Sequence, residues 1–189
     1  MSAGTMIACS SQQIVMGKQS NLGPIDPHLN GIPAYGAIHE FRRACREVKK
    51  DPAKIPIWQQ VIGQYRPTFL SRCENAIKWS NRFVEDQLTG VMFAGQPNAR
   101  RKAKAVVRKL TDYSGNRTHE RHIHLEECQA IGLAVMPMEN DPQLQDLILT
   151  VHHCYMHILM NTPAFKAIEN HPGAALIKQQ AQMLAQPAR

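Results

Sequence analysis

Ser2 stands at the head of Ser-Ala-Gly-Thr-Met-Ile-Ala, where small residues lead into apolar ones. Small residues at a helix start let another backbone come close. The first N–H groups of such a helix are unpaired and lie at the positive end of its dipole. A serine placed there has donors beside it that can hold an oxyanion, so the chemistry on offer is attack by a hydroxyl. That hydroxyl still needs a base to take its proton. Two other groups of residues invite a chemical reading. His153 and His157 in Val151–His157 are spaced i, i+4, as helical zinc ligands often are. There is no His-Glu-x-x-His motif, and His171 lies beyond a helix break, so packed or interface histidines are expected and no metal. His119, His122 and His124 fall in a polar loop and read as surface residues. Arg100, Arg101, Lys102, Lys104, Arg108 and Lys109 form a basic patch, with no acid between 98 and 111. Such a patch can bind nucleic acid. No aromatic is interleaved, and the same charges fit a solvated helix face. Cys9, among Met, Ile and Ala, reads as core rather than as a reactive thiol.

The elements that must position Ser2 follow from periodicity and punctuation. After the opening helix, Ile14-Val15-Met16 reads as a short buried strand. Gly17, Asn21, Gly23, Pro24, Asp26 and Pro27 then crowd into turns. Residues 35–50 predict an amphipathic helix with Tyr35, Ile38, Phe41, Cys45 and Val48 inward, ended by Asp51-Pro52. Residues 51–56 predict a loop with prolines on both sides of Lys54, and 57–65 a short helix. Thr68 is placed to cap a long helix, 69–89, with Phe69, Cys73, Ile77, Ser80 and Val84 inward. After a Gly/Pro loop at 90–98, residues 99–110 predict a helix burying Ala103, Val106, Val107 and Leu110. A polar loop follows at 112–118. Leu125–Ile131 predicts a helix closed by Gly132, then a strand at 133–135. Asp141-Pro142 starts a helix to about Met160, with a broad apolar face of Leu144, Leu147, Ile148, Val151, Tyr155 and Ile158. A further short helix is predicted after Pro163, and then a weakly ordered or subunit-pairing tail, 174–189.

The chain of 189 residues suggests one domain, and 43% apolar residues suffice for a core. A net charge of +7 permits an acidic partner without requiring one. Five widely spaced cysteines without a Cys-x-x-Cys pair point to reduced thiols and a cytoplasmic location. Neither a signal peptide nor an apolar run long enough to span a membrane is visible in these residues.

Ser-Ala-Gly-Thr-Met-Ile-Ala, Ile-Val-Met-Gly and Leu-Gly-Pro-Ile-Asp-Pro together resemble the serine dehydrogenase proteinase family. That family belongs to the ClpP/crotonase superfamily and is similar to signal peptide peptidase A-type enzymes. The resemblance runs from Met1 to about Gly173. Residues 2–27, Lys54–Trp58, Ala76–Trp79 and Val151–His157 carry it best, and Glu126–Leu133 resembles a pattern that closes the signal peptide peptidase A domain. In the superfamily, strands, a helix and a Gly-Gly oxyanion turn precede the nucleophile. Here Ser2 follows only Met1, so the chain resembles the C-terminal two thirds of a family member, and a missing N-terminus could carry a membrane anchor. The resemblance also implies the base. Lysine-type members carry a lysine about fifty residues after the serine, in a loop before a helix. Lys54 lies 52 residues after Ser2, and its rigid flanks suit a lysine that must be desolvated to act as a neutral base. Lys49, Lys50 and Lys78 are lesser candidates. His28 is the rival, just after the turn where ClpP-type enzymes carry histidine, and Asp26 could orient a base or cap a turn.

The expected fold is therefore α/β: the C-terminal part of a ClpP/crotonase-like fold, mostly helical with a few short strands. Residues 1–173 would be a partial serine protease domain and 174–189 a tail. The expected activity is peptide-bond hydrolysis through an acyl-enzyme on Ser2. Lys54 would act as base, and the Ala3 N–H as one oxyanion donor. No cofactor is expected, and homo-oligomers are implied by resemblance. The alternatives are a catalytically incomplete fragment acting as an interaction module, and a nucleic-acid-binding protein working through helix 99–110.

Overall fold

A computed structural model describes residues 2–112 and 122–180. The chain divides into two compact units, Met1–Pro137 and Met138–Arg189.

In the first unit, α1 (Ser2–Ala8) leads to β1 (Ile14–Met16). Ile14 and Met16 are buried and Val15 points outward, the period-two alternation of a strand. β1 pairs in parallel with β4 (Val135–Pro137), with Ile14 opposite Val135 and Met16 opposite Pro137. Parallel neighbours need a long crossover. Here it carries β2 (His28–Leu29), β3 (Ile32–Pro33), α2 (Ala34–Lys50), a 3₁₀ turn at Pro52–Lys54 and α3 (Ile55–Ile62). It continues with α4 (Phe69–Gln87), α5 (Ala99–Leu110) and α6 (Leu125–Ile131). The fold is thus mixed helix and strand, helix-rich with short strands.

The main core joins Ile14, Met16 and Ile25 of the N-terminal stretch to Val84, Leu88, Val106, Leu110, Ile123 and Leu133. The predicted inner faces hold for α4 (Phe69, Cys73, Ser80 and Val84) and for α5 (Ala103, Val106, Val107 and Leu110). Gly132 closes α6 at φ +104°, the left-handed cap predicted for it.

Several elements differ from expectation. α2 buries Ala34, Ala37 and Ala44, while Cys45 is exposed; the small alanines let α4 approach closely. Lys54 does not sit in an irregular loop. Asp51 accepts from the Ala53 N–H and caps the 3₁₀ turn that runs into α3. Thr68 precedes α4 but does not cap it with its side chain, because its φ of +67° is left-handed and capping needs extended backbone. α4 ends at Gln87 in a π turn, Leu88–Met92, closed by Phe93 N–H to Leu88 O at 2.8 Å. The strand after Gly132 starts at Val135 rather than Leu133, whose side chain is core instead.

In the second unit, Asp141 caps α7 (Pro142–Asn161) by accepting from the Leu144 N–H at 3.0 Å, as predicted. α7 buries no residue, and Leu147, Val151 and Ile158 of its apolar face are exposed. The segment after Pro163 is not a helix. β5 (Ala164–Glu169) and β6 (Ala175–Gln179) form an antiparallel hairpin, and the first part of the expected tail is paired in it. Asn170 makes the turn by accepting from the Ala174 N–H at 2.9 Å, and Gly173 adopts φ +86°. Short apolar runs such as Ala164–Ile168 do not distinguish helix from strand by period; the turn behind them does.

Candidate functional site

The N-terminal stretch is held in place by hydrogen bonds to distant parts of the first unit. Thr5, one turn past Ser2, is buried, and its hydroxyl makes two bonds to one residue. It donates to Gly23 O at 2.8 Å and accepts from Gly23 N–H at 3.1 Å. This locks α1 to the turn that follows β1. That turn is stitched further outward. Ile25 N–H donates to Leu110 O at 2.9 Å, and Leu22 and Ile123 exchange both backbone bonds. Ile14 N–H donates to Ala134 O at 2.9 Å. Nothing in the local sequence singles out Thr5 as an anchor. What the sequence shows is a hydroxyl one turn past Ser2 on an otherwise small and apolar helix, but its partner lies 18 residues away.

Ser2 is the first residue of α1, and its side chain falls outside the described atoms. Ala3 and Gly4, next on the helix, are exposed. Asp26 is buried and accepts from the Tyr35 N–H at 3.2 Å, so it caps the start of α2 from a preceding turn. This is the capping alternative, carried out on a helix eight residues downstream of the turn rather than on the turn itself. His28 lies exposed on a minimal hairpin, opposite Pro33. The hairpin turns through Asn30 at φ +54° and Gly31 at φ +81°. Positive φ at both central residues is the I′ geometry that Asn-Gly favours, a signal available in the sequence.

Lys54 ends the 3₁₀ turn, and its ammonium donates to Glu47 Oε2 at 3.2 Å. Arg43 donates to the other oxygen of Glu47 at 2.7 Å. The Arg43 guanidinium first, and then the Lys54 ammonium, hold the Glu47 carboxyl down at about 2. The structure thus joins Lys54 to a carboxylate, Thr5 to Gly23 and Asp26 to α2. Beside Lys54, Val48 of α2 and Ile55, Trp58 and Ile62 of α3 line an open apolar groove of about 420 Å³. Arg43 lies over the Trp58 ring at 5.8 Å.

The remaining sequence candidates resolve differently. Burial pushes the Cys9 thiol up to about 12, so it is core and unreactive. On α5, Arg100 pairs with Glu85 at 2.8 Å, which offsets one charge of the basic patch, and Lys102 donates to the neutral Gln96 at 2.9 Å. His152, His153 and His157 are exposed, and the His157 ring contacts Asn161. Among the described residues no group of three ligating side chains could hold a metal ion. His119 lies outside the described residues. Among the described residues no helix is long and apolar enough to cross a membrane.

A family model described as "ClpP-like SDH-type serine proteinase" matches residues 1–163. The chain belongs to this serine proteinase family. It is 25% identical over 135 residues to the uncharacterized protein MJ1495 of Methanocaldococcus jannaschii, which covers 71% of this chain and 39% of that protein. It is 27% identical over 135 residues to the uncharacterized protein MJ0137 of the same organism, covering 71% and 40%. The chain thus matches about two fifths of the length of these relatives. No solved structure matches it. The family match runs past the boundary between the two units, and takes in every candidate residue from Ser2 to His157.

Proposed function

We propose that this chain carries the nucleophile and base of a serine peptidase with a ClpP/crotonase-like fold. Ser2 Oγ attacks the carbonyl carbon of a peptide bond while Lys54, as a neutral amine, takes its proton. The oxyanion that forms accepts from the Ala3 N–H. Collapse breaks the C–N bond, Lys54 returns the proton to the leaving amine, and water then hydrolyses the acyl-enzyme by the same route. Lys54 must leave Glu47 for this, since an ammonium held on a carboxylate is no base. Asp26 and Thr5 are positioning residues: one fixes the start of α2, the other fixes α1 to Gly23. The substrate is a peptide or protein, no cofactor or metal takes part, and the working form is a cytoplasmic homo-oligomer.

The observation that carries this reading is the serine proteinase family match over residues 1–163. The test is labelling with a fluorophosphonate probe, mapped by peptide mass. The label is expected on Ser2. Ser2→Ala should abolish it, Lys54→Ala should lower it by a similar factor because a dyad acts as a unit, and His28→Ala should leave it in place. Labelling that survives in Ser2→Ala refutes the nucleophile. Loss in His28→Ala with retention in Lys54→Ala makes histidine the base. The alternative is an interaction module without activity. Absence of any labelling would support it.

A further inference from the structure

We propose that the cleft between α2 and α5 is a subsite for acidic side chains of a peptide substrate. The inference rests on the peptidase reading and assigns that site a substrate preference. The cleft holds about 560 Å³, within the range of ligand-binding clefts. Tyr35 and Ile38 of α2 give it an apolar wall. Around that wall stand Arg42, Arg108 and Lys109, with His39 and, among the described residues, one carboxylate, Asp112.

The charges here are arranged differently from those on the neighbouring surface. Arg43, Arg82 and Arg100 each face a carboxylate of the chain. Arg42 and Arg108 have no carboxylate partner among the described residues. Among the described residues the Lys109 ammonium makes a long bond, 3.4 Å, to Ala130 O. Two guanidiniums on opposite walls can each present a planar fork to a carboxylate, the geometry that favours arginine at such sites. The apolar wall suits the methylene stem of a glutamate.

The position of the cleft connects it to the chemistry. Its two walls meet at the turn after β1: Ile25 N–H is bonded to Leu110 O, and Asp26 caps α2 at Tyr35. A peptide lying along that turn would bring its acidic residues over Arg42 and Arg108. The Asp112 carboxylate disfavours a chain of phosphodiesters. Among the described lining residues the aromatic rings are Tyr35 and His39, and the Tyr35 hydroxyl accepts from Asn81 at 3.2 Å; no run of rings is there to stack successive bases.

The experiment is fluorescence anisotropy with a labelled glutamate-rich peptide and its glutamine counterpart, on the intact chain. The acidic peptide is expected to bind about tenfold more tightly or better, with the preference weakening as salt rises. The double variant Arg42→Gln/Arg108→Gln should reduce both peptides to the same affinity. The control Arg101→Gln/Lys104→Gln removes equal charge from α5 outside the cleft and should keep the preference. Equal binding of the two peptides, or equal loss in the control, overturns the proposal. So does tighter binding and displacement by inorganic phosphate or by a single-stranded oligonucleotide. Circular dichroism checks that the variants fold, and exposed arginines make that the expected result. Binding is read without cleavage. A failed cleft therefore leaves Ser2 labelling as it was, and failed labelling leaves the peptide preference standing.

Discussion

Thr5→Val tests the attachment of α1 most directly. Valine keeps the shape of threonine and removes only the hydroxyl. In the native chain that hydroxyl serves both polar groups of Gly23, at 2.8 and 3.1 Å, in a buried setting. After the change the Gly23 N–H and C=O both lose this partner, and a buried polar group left unsatisfied costs about 1–3 kcal/mol. The valine methyl recovers part of this, because it no longer buries a hydroxyl. A net loss of about 2–4 kcal/mol follows, which in a chain of this size lowers Tm by about 5–15 °C. Thr5→Ser is the matched control. It keeps both bonds and loses one methyl, about 1 kcal/mol. Thermal unfolding followed by far-ultraviolet circular dichroism measures all three proteins. The fluorophosphonate assay on the same set reads the consequence for Ser2: labelling should fall in Thr5→Val and persist in Thr5→Ser. If Thr5→Val melts together with Thr5→Ser, the double bond to Gly23 does not hold α1 and the argument fails.

Maleimide labelling of the native protein near neutral pH should modify Cys45 and Cys154 quickly. Cys9, Cys73 and Cys128 should react only after unfolding, since burial pushes all three thiols up, Cys9 to about 12 and Cys128 to about 11. Glu47→Gln should lower stability at neutral pH, and the gap to the native protein should close in acid. The native carboxyl titrates at about 2 against an ordinary 4.5, so its contribution is complete above 4.5 and is lost as pH falls toward about 2; acid titration of Tm reads it. Val151→Asp should change stability by no more than about 0.5 kcal/mol in the isolated chain, because Val151 is 56% exposed on α7, and a larger loss in urea unfolding would show that the face is covered.

What the sequence determined by itself is local. Gly132 after α6, Asp141-Pro142 before α7, and the apolar stripe of 99–110 each depend on a residue's own backbone preference or on neighbours within two turns. The family, too, was legible, because the short motifs around Ser2 and Lys54 are contiguous strings of the sequence. What the tertiary structure decided is which distant groups meet. β1 finds β4 across more than a hundred residues, Thr5 finds Gly23, and Asp26 caps α2 rather than a turn. Lys54 meets Glu47, a partner seven residues away on the preceding helix. The hairpin of β5 and β6 could be told from a helix only once the Asn170–Gly173 turn brought Ala164–Glu169 back against Ala175–Gln179. A cap or a stripe is fixed by the energy of one segment, but a pairing depends on closing a loop between two segments. Many closures satisfy the same residue types, so composition and spacing leave the choice to the packed chain.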